Sequence, residues 1–106
     1  MNGDRLTAAL ATRVLGWKVA PGRYIKPNRS WTPSWRFAPL NNLDQAFELL
    51  DKAAGTFSLT TCDTGIFHAE VRIGNATGAA KGKKKAAAIT IAVARALGVE
   101  VDNDLL

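Results

Sequence analysis

At 106 residues and 47% hydrophobic content, the chain has the material for one domain with a core of its own. It contains no run of about 18 apolar residues, so no membrane span is expected, and its lone cysteine, Cys62, excludes an internal disulfide and a cysteine-built zinc site. The net charge of +5 is uneven: residues 1–41 carry seven basic groups against Asp4, residues 42–80 carry two against five acidic ones, and residues 81–106 carry five against three, so two basic segments flank an acidic middle.

The opening residues lack the apolar stretch and cleavage pattern of a signal peptide, and the expected location is the cytoplasm. Residues 4–15 predict a helix. Leu6, Leu10 and Val14 recur at i, i+4 and i+8, Arg5 and Arg13 fall off that stripe, and Asp4 is placed to cap it. Gly16 suits the position just past a helix end, and Trp17 is expected to close that end by packing back on the helix. Residues 18–41 hold all four prolines, which fix φ and remove donors, so this segment is expected to be irregular with short extended pieces at 23–26 and 34–37. It also interleaves aromatic and basic side chains. Tyr24, Trp31 and Trp35 are candidates for stacking a nucleobase, with Arg29 and Arg36 as a charge clamp; ordinary packing against a sheet is the competing use of the tryptophans.

Residues 42–54 predict a second helix, with Leu43, Ala46, Phe47 and Leu50 on one face, Asn41 or Asn42 as cap, and Gly55 as stop. Residues 56–62 and 66–73 alternate apolar and polar side chains on either side of Asp63-Thr64-Gly65, the pattern of a hairpin. A third strand can use residues 76–80. The last helix is expected from about Lys84 to Leu97, with Ala88, Ile89, Ala92, Val93, Ala96 and Leu97 on its buried side, before an acidic tail at 99–106. The fold class that follows is α+β: one domain over 1–106, in which a small antiparallel sheet of two or three strands is packed with helices in the order α-α-β-β-(β)-α. Its parts are the N-terminal helix (4–17), the Pro/aromatic-rich segment (18–41) and an α-β-β-(β)-α core (42–97).

The stretch from Gly74 to Leu97 carries the strongest chemical signal. Gly74, Gly78 and Gly82 recur every four residues, and Lys81, Lys83, Lys84 and Lys85 stand at the mouth of the last helix. A helix N-terminus offers unpaired N–H groups and partial positive charge, and lysines there are unfavourable unless an anion sits among them. Gly78, Lys81, Gly82, Lys83, Lys84 and Lys85 are therefore candidate phosphate-binding residues. The run 78–83 is one residue short of a P-loop, and Lys84 stands where a magnesium-binding Ser or Thr belongs, so NTP hydrolysis is not expected. Asp63-Thr64-Gly65 matches the aspartic-protease triplet but suits a hairpin turn better. His68 is the single histidine, on the polar side of a strand. No catalytic set, metal site or cofactor is expected.

Two family likenesses meet in these residues. Over 39–97, the Gly78 and Gly82 strand followed by Lys83-Lys84-Lys85-Ala86 resembles the double-stranded-RNA-binding domain, whose lysines at this position would lie on phosphates. The short turn at Asp63 and the acidic Asp44, Glu48 and Asp51 of the preceding helix depart from that pattern. Over 4–99, Leu10-Ala11-Thr12-Arg13-Val14-Leu15-Gly16-Trp17, the Trp31-Thr32-Pro33-Ser34 segment leading into residues 40–50, and the Ala-rich last helix resemble the small phage ABA-sandwich proteins. That likeness implies an α-β-β-β-α order and an origin in a phage or prophage, hence the cytoplasm of an infected bacterium. The expectation is a non-enzymatic phage protein that binds a phosphate-bearing ligand, a nucleotide-derived immune signal first of all, as a homodimer because one small chain can hardly enclose a dinucleotide. Duplex RNA binding and a structural or adaptor role are the alternatives.

Overall fold

The structure is a computed structural model that describes residues 3–53, 55–63, 65–99 and 101. It is an α+β fold of three helices and two three-stranded antiparallel sheets. Helix α1 (Gly3–Leu10) runs into a π-helical turn (Ala11–Leu15) and stops at Gly16, whose φ of 70° turns the chain left-handed. The N–H of Trp17 then closes on the carbonyl of Ala11 at 3.1 Å. Leu6 and Leu10 are fully buried, as the stripe predicts, but its third member Val14 is only partly buried, and Ala11, off the stripe, is buried in its place.

The segment expected to be irregular instead folds as a sheet of its own. Strands β1 (Lys18–Ala20), β2 (Arg23–Ile25) and β3 (Trp31–Pro33) pair in chain order, and residues 34–36, expected to be extended, form a 3-10 turn. The prolines do not obstruct this. Pro21, Pro27 and Pro39 lie outside the strands, and Pro33 ends the edge strand β3, where a missing donor costs no ladder bond. Trp17 packs against the core that holds Leu10 and Ala11 and also joins an aromatic trio. Its ring centroid lies 5.0 Å from Phe37 and 6.0 Å from Tyr24, with Tyr24 and Phe37 edge to face at 5.8 Å. The trio joins the small sheet to the core.

Helix α2 (Leu43–Lys52) is capped by Asn42, whose Oδ1 accepts the Gln45 N–H at 3.1 Å. It buries Ala46, Leu49 and Leu50. Strands β4 (Thr56–Asp63), β5 (Ile66–Ile73) and β6 (Ala76–Gly82) form the second sheet, so the optional third strand exists and reaches Gly82. Gly74, with φ of 61°, supplies the left-handed residue of the β5–β6 turn. The first helix begins at Gly3, so Asp4 lies within it and not at the expected cap position; the Cys62 side chain, Thr64 of the hairpin turn, and residues 100 and 102–106 of the tail lie outside the described residues.

Helix α3 (Lys85–Ala96) is not amphipathic as expected but is buried on all sides from Ala86 to Ala94. The sheet β4–β6 covers one side, and α2 with residues 38–40 the other, so the most apolar helix becomes the centre of the core. Thr90 is its one buried polar side chain, and its hydroxyl donates to the Pro39 carbonyl at 3.0 Å. Thr90→Val keeps the shape and strands that carbonyl. The expected cost is about 1–3 kcal/mol, read as a lower urea midpoint with an unchanged slope.

Candidate functional site

Strand periodicity decides where the lysines go. Along β6, Gly78, Ala80 and Gly82 face α3, opposite Val71, Ala69 and Phe67 of β5; Lys81 points to the opposite, open face, across from His68. The expected mouth of four lysines is therefore three plus one. Lys81 belongs to the outer face of the sheet, and only Lys83, Lys84 and Lys85 gather at the start of α3. Gly78 and Gly82 are also reassigned. They lie in a strand rather than a loop, and both are buried. A Cβ on Gly78 would run into the carbonyl oxygen of Ala92 and the nitrogen of Ala96. Its missing side chain serves close strand–helix packing, not approach to a phosphate.

The start of α3 keeps the features that suit an anion. Lys84 occupies the N-cap position with φ −111° and ψ 126°, and its own side chain makes no capping hydrogen bond. The lysines around it diverge. Lys84 Nζ donates to Asn41 Oδ1 at 3.0 Å, and Lys85 Nζ stands 5.1 Å from the centre of the Phe67 ring. Lys83 is exposed. Asn41, next to the α2 cap, thus brings the starts of α2 and α3 together. Its role was missed in the sequence, where it read only as an alternative cap.

The segment before Asn41 is held by one amide. Gln45 accepts from the Ala38 N–H at 2.7 Å through Oε1 and donates to the Arg36 carbonyl at 2.7 Å through Nε2. Trp35 and Arg36 are therefore on a tethered run of chain that ends at the lysines, and six residue steps bound the Trp35–Asn41 separation at about 20 Å. Trp35 is 73% exposed and Trp31 58% exposed. The Arg36 guanidinium lies 5.3 Å from the Trp35 ring centre, and that of Arg23 lies 5.7 Å from Trp31. Arg23, not singled out as a clamp in the sequence, shares the face of Trp31 because the register pairs Arg23 with Pro33 and Ile25 with Trp31. Trp35 and Arg23 border a cleft of about 420 Å³, whereas Arg36 borders a separate one of about 300 Å³ with Trp17, Lys26 and Glu48.

Tyr24 is corrected. It is 5% exposed with its ring held by Trp17 and Phe37, so it cannot stack a base. Arg29 sits at the tip of the β2–β3 loop with φ of 70°, the single non-glycine residue in the left-handed region among those described. The loop is pinned by the Lys26 N–H to Ser30 carbonyl bond at 2.8 Å, and by Asn28 Oδ1, which accepts from the Ser30 hydroxyl at 2.6 Å. Among the described residues, no group of three His, Cys, Asp or Glu side chains is placed to hold a metal ion, and no helix is long and apolar enough to cross a membrane.

No protein-family model matches the chain, and no curated protein matches it in sequence. In three dimensions the chain is similar to a phage protein from Bacillus cereus ATCC 14579, known from a 2.0 Å crystal structure. The TM-score is 0.75 at 15% identity, over 96% of this chain and 93% of that one. The two share a fold over nearly all of both chains.

Proposed function

We propose that this is a non-catalytic protein of phage origin that binds a phosphate-bearing ligand at the start of α3 and sequesters a nucleotide-derived immune signal in the infected host. The observation that carries the reading is the α3 N-terminus with Lys83, Lys84 and Lys85 around it. The helix dipole and the lysine charge both favour a phosphate there. The base would stack on Trp35 in the cleft it shares with Arg23, with Arg36 as the second cation. Trp31, whose ring lies against Arg23, and Arg29, at the loop tip, are the further candidates. The shared fold with a phage protein supports the origin.

A panel of cyclic dinucleotides, cyclic trinucleotides and linear nucleotides, titrated calorimetrically and checked by native mass spectrometry, tests this. Retention of one class is the expected result, weakened at least tenfold by Trp35→Ala. No heat and no retained ligand across the panel would sink it. The second reading, duplex RNA, is favoured by the α-β-β-β-α order of residues 43–96 with lysines opening the last helix. Against it stand Asp44, Glu48 and Asp51, all exposed on α2, where an RNA backbone would meet like charge. RNA binding would be salt-steep and indifferent to Trp35→Ala.

A further inference from the structure

We infer that two copies of this chain associate through the free edge of β4, antiparallel about a two-fold axis at Ser58. The two edges of the second sheet are treated differently. On β6, Arg95 Nη1 donates to the Ala79 carbonyl at 2.7 Å, and Lys81 adds an exposed charge. Both are devices that keep another strand away. On β4, the register is regular from Thr56 to Thr61 and shifts only between Thr61 and Asp63. That run reads Thr-Phe-Ser-Leu-Thr-Thr, without charge or proline. Alternate residues of an edge strand turn N–H and C=O groups outward, so among the described residues this run is an unguarded template for pairing.

The side chains extend the template. Phe57 lies on the sheet face that α3 covers at β5 and β6, yet it is 49% exposed. The Phe47 ring of α2 is 5.3 Å from it, and the exposed Leu43 lies one turn along the same helix. The edge thus has an apolar margin. A stable interface takes about 800 Å² per partner, roughly an eighth of the 6342 Å² surface. A six-residue edge that includes Phe57, together with Leu43 and Phe47, is suited to that size.

A second copy is the occupant because the strand is complementary to itself. A two-fold perpendicular to the sheet keeps each side chain on its own face, so only registers centred on a residue are allowed. Centred on Ser58, Phe57 of one copy opposes Leu59 of the other on the covered face, twice, and Thr56 opposes Thr60 on the open face. No like charges meet. The pairing would supply the second copy that enclosure of a dinucleotide asks for, but it stands on the edge strand and not on the ligand.

Sedimentation of the full chain without ligand should give twice 11.3 kDa at micromolar concentrations. Ser58→Lys sets two lysines on the axis at an exposed position. It should raise the dimer dissociation constant at least tenfold with an unchanged circular dichroism spectrum. In a Cys62→Ser background, Ser58→Cys should cross-link to itself on mild oxidation, because Cα atoms of facing residues lie within disulfide reach; Thr56→Cys should not. A monomer throughout, or a dimer indifferent to Ser58→Lys, overturns the inference. A monomer that retains a nucleotide overturns this alone, and a dimer that retains none overturns the ligand reading alone.

Discussion

Gly78→Ala should lower the melting temperature by about 10–20 °C, the largest loss expected from removing or adding a single methyl in this chain. The new Cβ would meet the Ala92 carbonyl oxygen, the Ala96 nitrogen and, at 3.0 Å, the Arg95 carbonyl carbon. These are backbone atoms of a helix, so none can rotate away. Relief requires α3 to lift from β6, and α3 is packed on every side by the rest of the core. Overpacking of this kind costs about 1–3 kcal/mol and at times more, against a total stability of about 5–15 kcal/mol. For a domain of this size each kcal/mol shifts the midpoint by about 4–8 °C. Ala79→Val on the exposed face of the same strand is the control and should melt near the parent. A Gly78→Ala protein that melts with the parent would show that α3 does not approach β6 so closely.

Replacing Lys83, Lys84 and Lys85 together by alanine should weaken nucleotide binding by about a hundredfold while leaving stability almost unchanged. The binding loss follows from removing three cations at the start of α3, of which Lys84 and Lys85 would have to turn from Asn41 and Phe67 to a bound phosphate, each charge-assisted contact contributing about 1.5–3 kcal/mol before losses to solvent. The stability terms nearly cancel. The Lys84–Asn41 hydrogen bond and the contact of Lys85 with Phe67 disappear, at about 0.5–1 kcal/mol each. In return, three charges unfavourable to the α3 dipole are removed, at about 0.3–1 kcal/mol each. Calorimetric titration with the best ligand of the panel, alongside a thermal melt, reads both. Unchanged affinity would leave the lysines as a solvated helix start. Lys81→Ala is the internal comparison: on the opposite face of the sheet, it should leave the affinity as it was.

The same lysines show how far the site was legible from the chain. That they precede a helix was visible, since an Ala-rich apolar run bounded by Gly98 predicts one and Lys83–Lys85 abut it. That Lys81 parts from them was not, because it depends on whether residues 76–82 are loop or strand, and a Gly/Ala run carries no alternation of hydrophobicity to decide it. Pairing with β5 decides it. Tyr24 failed as a stacking residue for a similar reason. Tyrosine among arginines reads as a surface composition, and only its meeting with Trp17 and Phe37 buries it.

By itself the sequence determined the elements whose signal is local: the end of the first helix at Gly16, the capped amphipathic α2, and the β4–β5 hairpin with its two faces. Each rests on side-chain period, a cap or a turn residue within a few positions. The tertiary structure decided what depends on partners far along the chain. The β1–β3 sheet consists of three-residue strands too short to show a period, and exists because they pair with one another. The burial of α3 on every face, the role of Gly78 beneath Ala92 and Ala96, and the joining of Lys84 to Asn41 follow from which element lies opposite, and no window of sequence contains both sides.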